Sequence, residues 1–206
     1  MQLSLQLRKP STLRLVRDGF TEATLRASLL LDPALDGRID NGAQLTLDCE
    51  PTGFAPADLL LSAIESKHGH DLGWWIGQGP KVQHALANGW VRAGRWQTKQ
   101  GPLGLLHRYT DLVDPSGQQW QAHRDRLNQI IAGAPPSSVR EAALAATARI
   151  ARLVDGQPTS PDDFAWRVPA ALLTACGSVR WLVDLTDEFM IDSRARAITQ
   201  APTPAG

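Results

Sequence analysis

The sequence predicts a mainly α fold, a single compact helical domain carrying two β-hairpins. Several separate stretches repeat apolar residues at helical spacing, and two shorter ones alternate apolar with polar residues around turn-forming pairs. A length of 206 residues without internal repeats suits one domain better than two, and is enough to bury a sizeable core.

The elements follow in chain order. Residues 1–17 hold Arg8, Lys9, Arg14 and Arg17 and no acid, which marks a basic N-terminal segment. From Phe20 to Leu35, Leu25, Leu29 and Leu30 set the spacing of a buried helix, with Pro33 near its end and Gly37 as a stop. Arg38 to Leu47 reads as the first hairpin around Asn41-Gly42. Pro51-Thr52-Gly53 is a loop, and Pro56 to Ser66 is a short amphipathic helix with Leu59, Leu60, Ala63 and Ile64 turned inward. Gly69 to Gly79 reads as irregular, with Trp74-Trp75 held between glycines.

A helix is expected over Val82–Val91, ending near Gly94. Trp96 to Val113 gives the second hairpin, with Gln100-Gly101-Pro102 as punctuation and Leu105 to Asp111 as the return strand. Another helix runs from Asp114 to about Ile131 and is broken by Gly133-Ala134-Pro135-Pro136. Ser138 to Val154 is alanine-rich and strongly helical, and Phe164 to Arg196 provides one or two further helices. The domain therefore spans 18–196, and 197–206 forms a frayed tail.

Charge is balanced overall, 21 basic against 21 acidic side chains, but it is not evenly placed. Between Asp71 and Asp111 there is no acid, while Lys81, Arg92, Arg95, Lys99 and Arg108 all fall there. Trp74, Trp75, Trp90 and Trp96 share that interval, and cations beside indoles suit an anionic surface, lipid or nucleic acid. The opposing reading makes these tryptophans core. In the adjacent pair, one ring is expected inside and the other at the surface.

No window approaches 18 continuous apolar residues, so any membrane contact is expected to be peripheral. The N-terminus lacks an apolar core of leader length, and Cys49 and Cys176 lie far apart, which suggests reduced thiols in a cytoplasmic protein. His68-Gly-His70-Asp71 invites a metal, but a polar loop explains it better, and no metal or other cofactor is expected. Gly73, Gly77 and Gly79 have the wrong context for a phosphate loop, and no serine elbow or paired catalytic cysteine is present. An enzyme is not expected.

Four pieces carry a resemblance: LRASLLLDPALDGRID (Leu25–Asp40), PTGFAPADLLLSAIES (Pro51–Ser66), WWIGQGPKVQHALANGWVRAGRW (Trp74–Trp96) and VREAALAATARIARLV (Val139–Val154). In this order the chain resembles the Golgi phosphoprotein 3 family, in the manner of a bacterial-type member. The resemblance implies a helical domain that docks on membranes through a basic pocket for a phosphoinositide headgroup and helps retain membrane enzymes. It places Arg26 on the family's first-helix arginine and Arg17 where the family has a tryptophan. Lys81 lies within one position of one basic pocket residue, and Gln83 replaces the other.

The residues' own chemistry gives alternatives at each point. Arg26 in an apolar helix suits a phosphate or a structural pair such as Asp32 or Asp58. Lys81 follows Gly79-Pro80 at a helix N-terminus, where backbone donors attract anions, or is simply solvated.

The expectation is a non-catalytic, cytoplasmic, peripheral membrane protein. Arg17, Arg26 and Lys81 would hold an anionic lipid headgroup, and Trp74, Trp75, Arg92 and Arg95 would face the membrane. Membrane-enzyme clients and self-association through a hairpin at 94–113 follow from the resemblance. The alternative is a winged-helix-like nucleic-acid-binding protein using the helix and hairpin of 82–113.

Overall fold

The computed structural model of the chain describes residues 6–9, 12–14, 19–41, 45–67, 69–103, 107–113, 119–151 and 167–199. Its helices are α1 (Gly19–Leu35), α2 (Ala55–Ser66), α3 (Leu72–Gln78), α4 (Gln83–Arg92), α5 (Gln119–Ile131), α6 (Val139–Ile150), α7 (Ala170–Ala175) and α8 (Arg180–Thr199), with a 3-10 turn over Gly177–Val179. The strands are β1 (Gln6–Lys9), β2 (Thr12–Arg14), β3 (Ile39–Asn41), β4 (Leu45–Leu47), β5 (Gln97–Leu103) and β6 (His107–Val113). The fold is mainly helical.

Helix α1 is the axis of the core. Its buried run from Ala23 to Leu31 leaves no side for water, and α2, α3, α6 and α8 all pack on it. A helix apolar all round must be enclosed, which is what this sequence requires. Ala142, Ala143, Ala145 and Ala146 give α6 a surface of small side chains that lets α1, α7 and α8 approach, while Ala148 packs against Leu127 and Ile131 of α5. Thr24, Ser28, Thr147 and Thr186 return their hydroxyls to the carbonyl four residues earlier, so burial leaves none of them unpaired.

Helix α1 ends as its sequence suggests. Gly37 adopts a positive φ of 70°, and the Arg38 N–H reaches back to the Pro33 carbonyl at 2.9 Å. Gly94 closes α4 in the same way, with the Arg95 N–H on the Trp90 carbonyl at 3.0 Å. Ser138 caps α6 by accepting the Glu141 N–H, and Glu141 ties that corner to α5 through Arg126 at 2.8 and 2.9 Å.

The stretch Gly69–Gly79, read as irregular, contains helix α3. Asp71 accepts the Trp74 N–H at 2.7 Å, and Leu72, Trp75 and Ile76 bury the inner face. The glycines at 73, 77 and 79 masked that i, i+3, i+4 apolar spacing. The expected punctuation at Gly101-Pro102 is also corrected, because both residues lie inside β5, paired with Tyr109 and Arg108. β5 is a sheet edge, where a proline costs no ladder hydrogen bond on its open side.

β3 pairs antiparallel with β4, and β5 with β6, while the connecting residues 42–44 and 104–106 lie outside the described ones. The larger sheet has the order β1-β2-β6-β5, so part of the basic N-terminal segment joins the 97–113 pair. Arg17, Asp114 and the tail beyond Thr199 lie outside the described residues. Among the described residues, no helix is long and apolar enough to cross a membrane.

Candidate anion-binding site

A cavity of about 640 Å³ opens where α1 passes the link between α3 and α4. Its walls include Glu22, Arg26, Gly79, Lys81, Gln83 and His84. Arg26 and Lys81, 55 positions apart in the chain, thus meet at one place, although they differ in what they offer.

Arg26 is 3% exposed and forms the back wall. Its Nε donates to the Ile76 carbonyl at 2.7 Å and its Nη2 to Gly77 at 2.8 Å. Its Nη1 donates to Gly79 at 2.9 Å and to Pro80 at 3.1 Å. Four of the five guanidinium N–H groups are therefore spent on backbone. The acceptors include carbonyls of the last turn of α3, which the helix itself leaves unpaired and which carry the negative end of its dipole. Burial pushes the Arg26 pKa down, and the Glu22 carboxylate opposes that shift. The structural partner is neither Asp32 nor Asp58: Asp32 pairs with Arg140, Asp58 binds Thr52, and Glu22 stands 3.9 Å from Arg26 Nη1.

Two glycines make that arrangement possible. A Cβ at Gly79 would lie 2.4 Å from the Trp75 carbonyl oxygen and 2.9 Å from Arg26 Cδ. At Gly77 it would lie 2.3 Å from the Phe189 ring of α8. The Gly-Gln-Gly-Pro link is a place of close backbone approach, which explains the glycines without a phosphate loop.

Glu22 is the residue that sequence reasoning missed. Its Oε2 accepts the Val82 N–H at 2.9 Å, sixty positions away. Val82 occupies the N-cap of α4 and has no side chain able to cap, so a carboxylate from α1 does so instead. Glu22 also sits in the first turn of α1, where the helix dipole favours an acid. The only available sequence signal was an acid at a helix start, which says nothing of a distant second helix.

Lys81 is exposed at the rim, one residue before the N-cap of α4. The next N–H groups of α4 have no partner within the helix and add partial positive charge there. Gln83, in the first turn, is 3% exposed, and its side-chain Nε2 is buried without a hydrogen-bond partner. Such a sealed, unpaired amide is a costly group to bury.

The expected membrane-facing residues divide. Trp75 is 2% exposed and belongs to the core, so burial corrects its placement at a membrane. Trp74 is half-buried and stacks on His70 at 3.7 Å between ring centroids, so of the pair one ring is inside and one near the surface. Trp90 and Trp96 are buried and stack on each other. Arg92 and Arg95 are exposed, but they are not among the cavity's walls. Of the histidine-aspartate run, Asp71 caps α3, His70 covers Trp74, and His68 lies outside the described residues.

Such a fold, helices wrapped around one buried central helix with a small antiparallel sheet beside them, defines an α-helical domain with a cavity between that central helix and the start of α4. The chain belongs to the Golgi phosphoprotein 3 family: the family model described as Golgi phosphoprotein 3 (GPP34) matches residues 3–205. No curated protein sequence matches the chain.

Proposed function

We propose that this protein binds anionic lipid headgroups at the membrane surface without catalysis, using the cavity between α1 and the start of α4. One observation carries the reading. Lys81 and the N-terminus of α4 converge on one open cavity, and both offer donors. Membership of the Golgi phosphoprotein 3 family supports it, as does the acid-free interval around Lys81. Arg26 contributes chiefly by holding the Gly77–Pro80 link in place, with a single N–H left for a ligand. The exposed Arg92 and Arg95 add long-range attraction, each worth about 1 kcal/mol close to an anionic surface. Service as an adaptor for membrane enzymes, and self-association, belong to the same proposal.

Sedimentation with vesicles of graded anionic content is the test. Binding should grow with anionic fraction, weaken with salt and fall severalfold in Lys81→Ala; absence of binding at every composition ends the reading. A nucleic-acid role has less behind it. β6 is bonded to β2 as well as β5, so the 97–113 pair is embedded in a four-stranded sheet rather than standing free as a wing. Salt-sensitive binding of duplex DNA without vesicle binding would favour that alternative.

A further inference from the structure

The cavity already contains an anion of its own, and that restricts what can enter. Glu22 lines it beside Arg26 and Lys81, so two cations and one carboxylate leave a single net positive charge. A headgroup bearing several phosphates would bring surplus charge against Glu22. A singly charged group would not.

Glu22 also offers something that a purely basic pocket lacks. Its Oε2 is committed to the Val82 N–H, while Oε1 takes no hydrogen bond among the described residues. A carboxylate oxygen is an acceptor only, so the ligand must present a donor to it; the phosphate of a diester has none, so the donor must sit on its substituent, as a hydroxyl does. The same lining carries Lys81 at the rim, whose ammonium wants an anion.

Resting on the headgroup reading above, we propose that the cavity selects a singly charged phosphate ester whose substituent carries a hydroxyl, as a phosphoglycerol headgroup does. The hydroxyl donates to Glu22 Oε1, and the phosphate takes the Lys81 ammonium. Glu22 then selects twice, by repelling surplus negative charge and by accepting the hydroxyl.

Vesicles of phosphatidylglycerol and of phosphatidylmethanol carry the same charge per lipid and differ in the hydroxylated arm. The wild-type protein should bind phosphatidylglycerol roughly tenfold more tightly, the scale of one hydrogen bond to a charged acceptor. In Glu22→Gln, checked for native circular dichroism, the gap should narrow to within about twofold, because a neutral amide oxygen accepts more weakly. Deacylated glycerophosphoglycerol, added in solution, shows whether the free headgroup shares the site. Displacement assigns the preference to free and lipid-linked forms alike, and no displacement with the gap intact assigns it to the lipid-linked form. Equal binding of both vesicles by the wild type, or an unchanged gap in Glu22→Gln, overturns the selection and leaves headgroup binding standing. Binding to neither vesicle overturns both.

Discussion

Arg26 and Ile76 are joined by a 2.7 Å hydrogen bond from Nε to the backbone carbonyl, and that bond fastens the C-terminus of α3 to the middle of α1. With three further carbonyls on the same guanidinium, the side chain acts first as a fastener of the 76–80 link and only second as a source of charge. Arg26→Ala should lower unfolding stability by about 3 kcal/mol, since it leaves buried carbonyls unpaired. Arg26→Lys should recover only part of that, because an ammonium cannot match the planar fork. Urea denaturation followed by circular dichroism decides the matter; a loss under about 1 kcal/mol for the alanine variant would contradict the fastening role.

The same link should be intolerant of side chains where another helix is tolerant. Gly79→Ala drives a Cβ to 2.4 Å from the Trp75 carbonyl, whereas nothing lies within 4 Å of a Cβ at Gly89 in α4. The first substitution should destabilise by about 1–3 kcal/mol through overpacking. The second should stabilise by about 0.5–1 kcal/mol through helix propensity and a less free unfolded chain. Thermal unfolding of the two variants should move in opposite directions.

Acid should loosen the corner between α5 and α6. The Arg126 guanidinium and the Ser137 N–H hold the Glu141 carboxyl at about 2, below its ordinary 4.5. A depressed carboxyl stabilises the fold fully above pH 4.5, and that contribution disappears as pH falls towards 2. Glu141→Gln should therefore flatten the stability profile within this window and cost most above it. Denaturation midpoints measured from pH 6 down to pH 2 would show the difference, and parallel curves would contradict it.

The two thiols should differ in reactivity. Cys176 is fully buried, donates to the Leu172 carbonyl, and has its pKa pushed up to about 11 by burial. Cys49 is half-buried, and desolvation with the nearby Glu65 and Asp48 raises its pKa too. The native protein at pH 8 should take up iodoacetamide slowly at Cys49 and essentially not at Cys176 until it unfolds. Mass spectrometry of labelled peptides gives both rates.

Much of the helical frame was legible because burial leaves its mark on spacing. The leucines of α1, the stop at Gly37 and the run of α6 all follow from period and punctuation. Helix α3 was not legible, since Gly73, Gly77 and Gly79 read as breakers, yet close packing against Phe189 and Arg26 requires two of them. The pairing of β2 with β6 joins Thr12 to Val113, and no local pattern announces a contact across a hundred positions. In the cavity, Arg26 and Lys81 stood out as charges. Glu22 did not, because its value lies in reaching Val82, and Gln83 looked only like a missing cation until its amide proved to be buried and unpaired.

The cavity is therefore divided into parts that can change and parts that cannot. Its floor, Arg26 with the carbonyls it grips, cannot be altered without disturbing how α3 meets α1. Its lip is formed by Gln78, Lys81 and His84, which are exposed at the surface. Relatives sharing this floor could exchange one ligand for another by trading three surface side chains, with no refolding of the domain. Charge preference would then be the quick-changing property of this architecture, and the seat for the ligand the slow one.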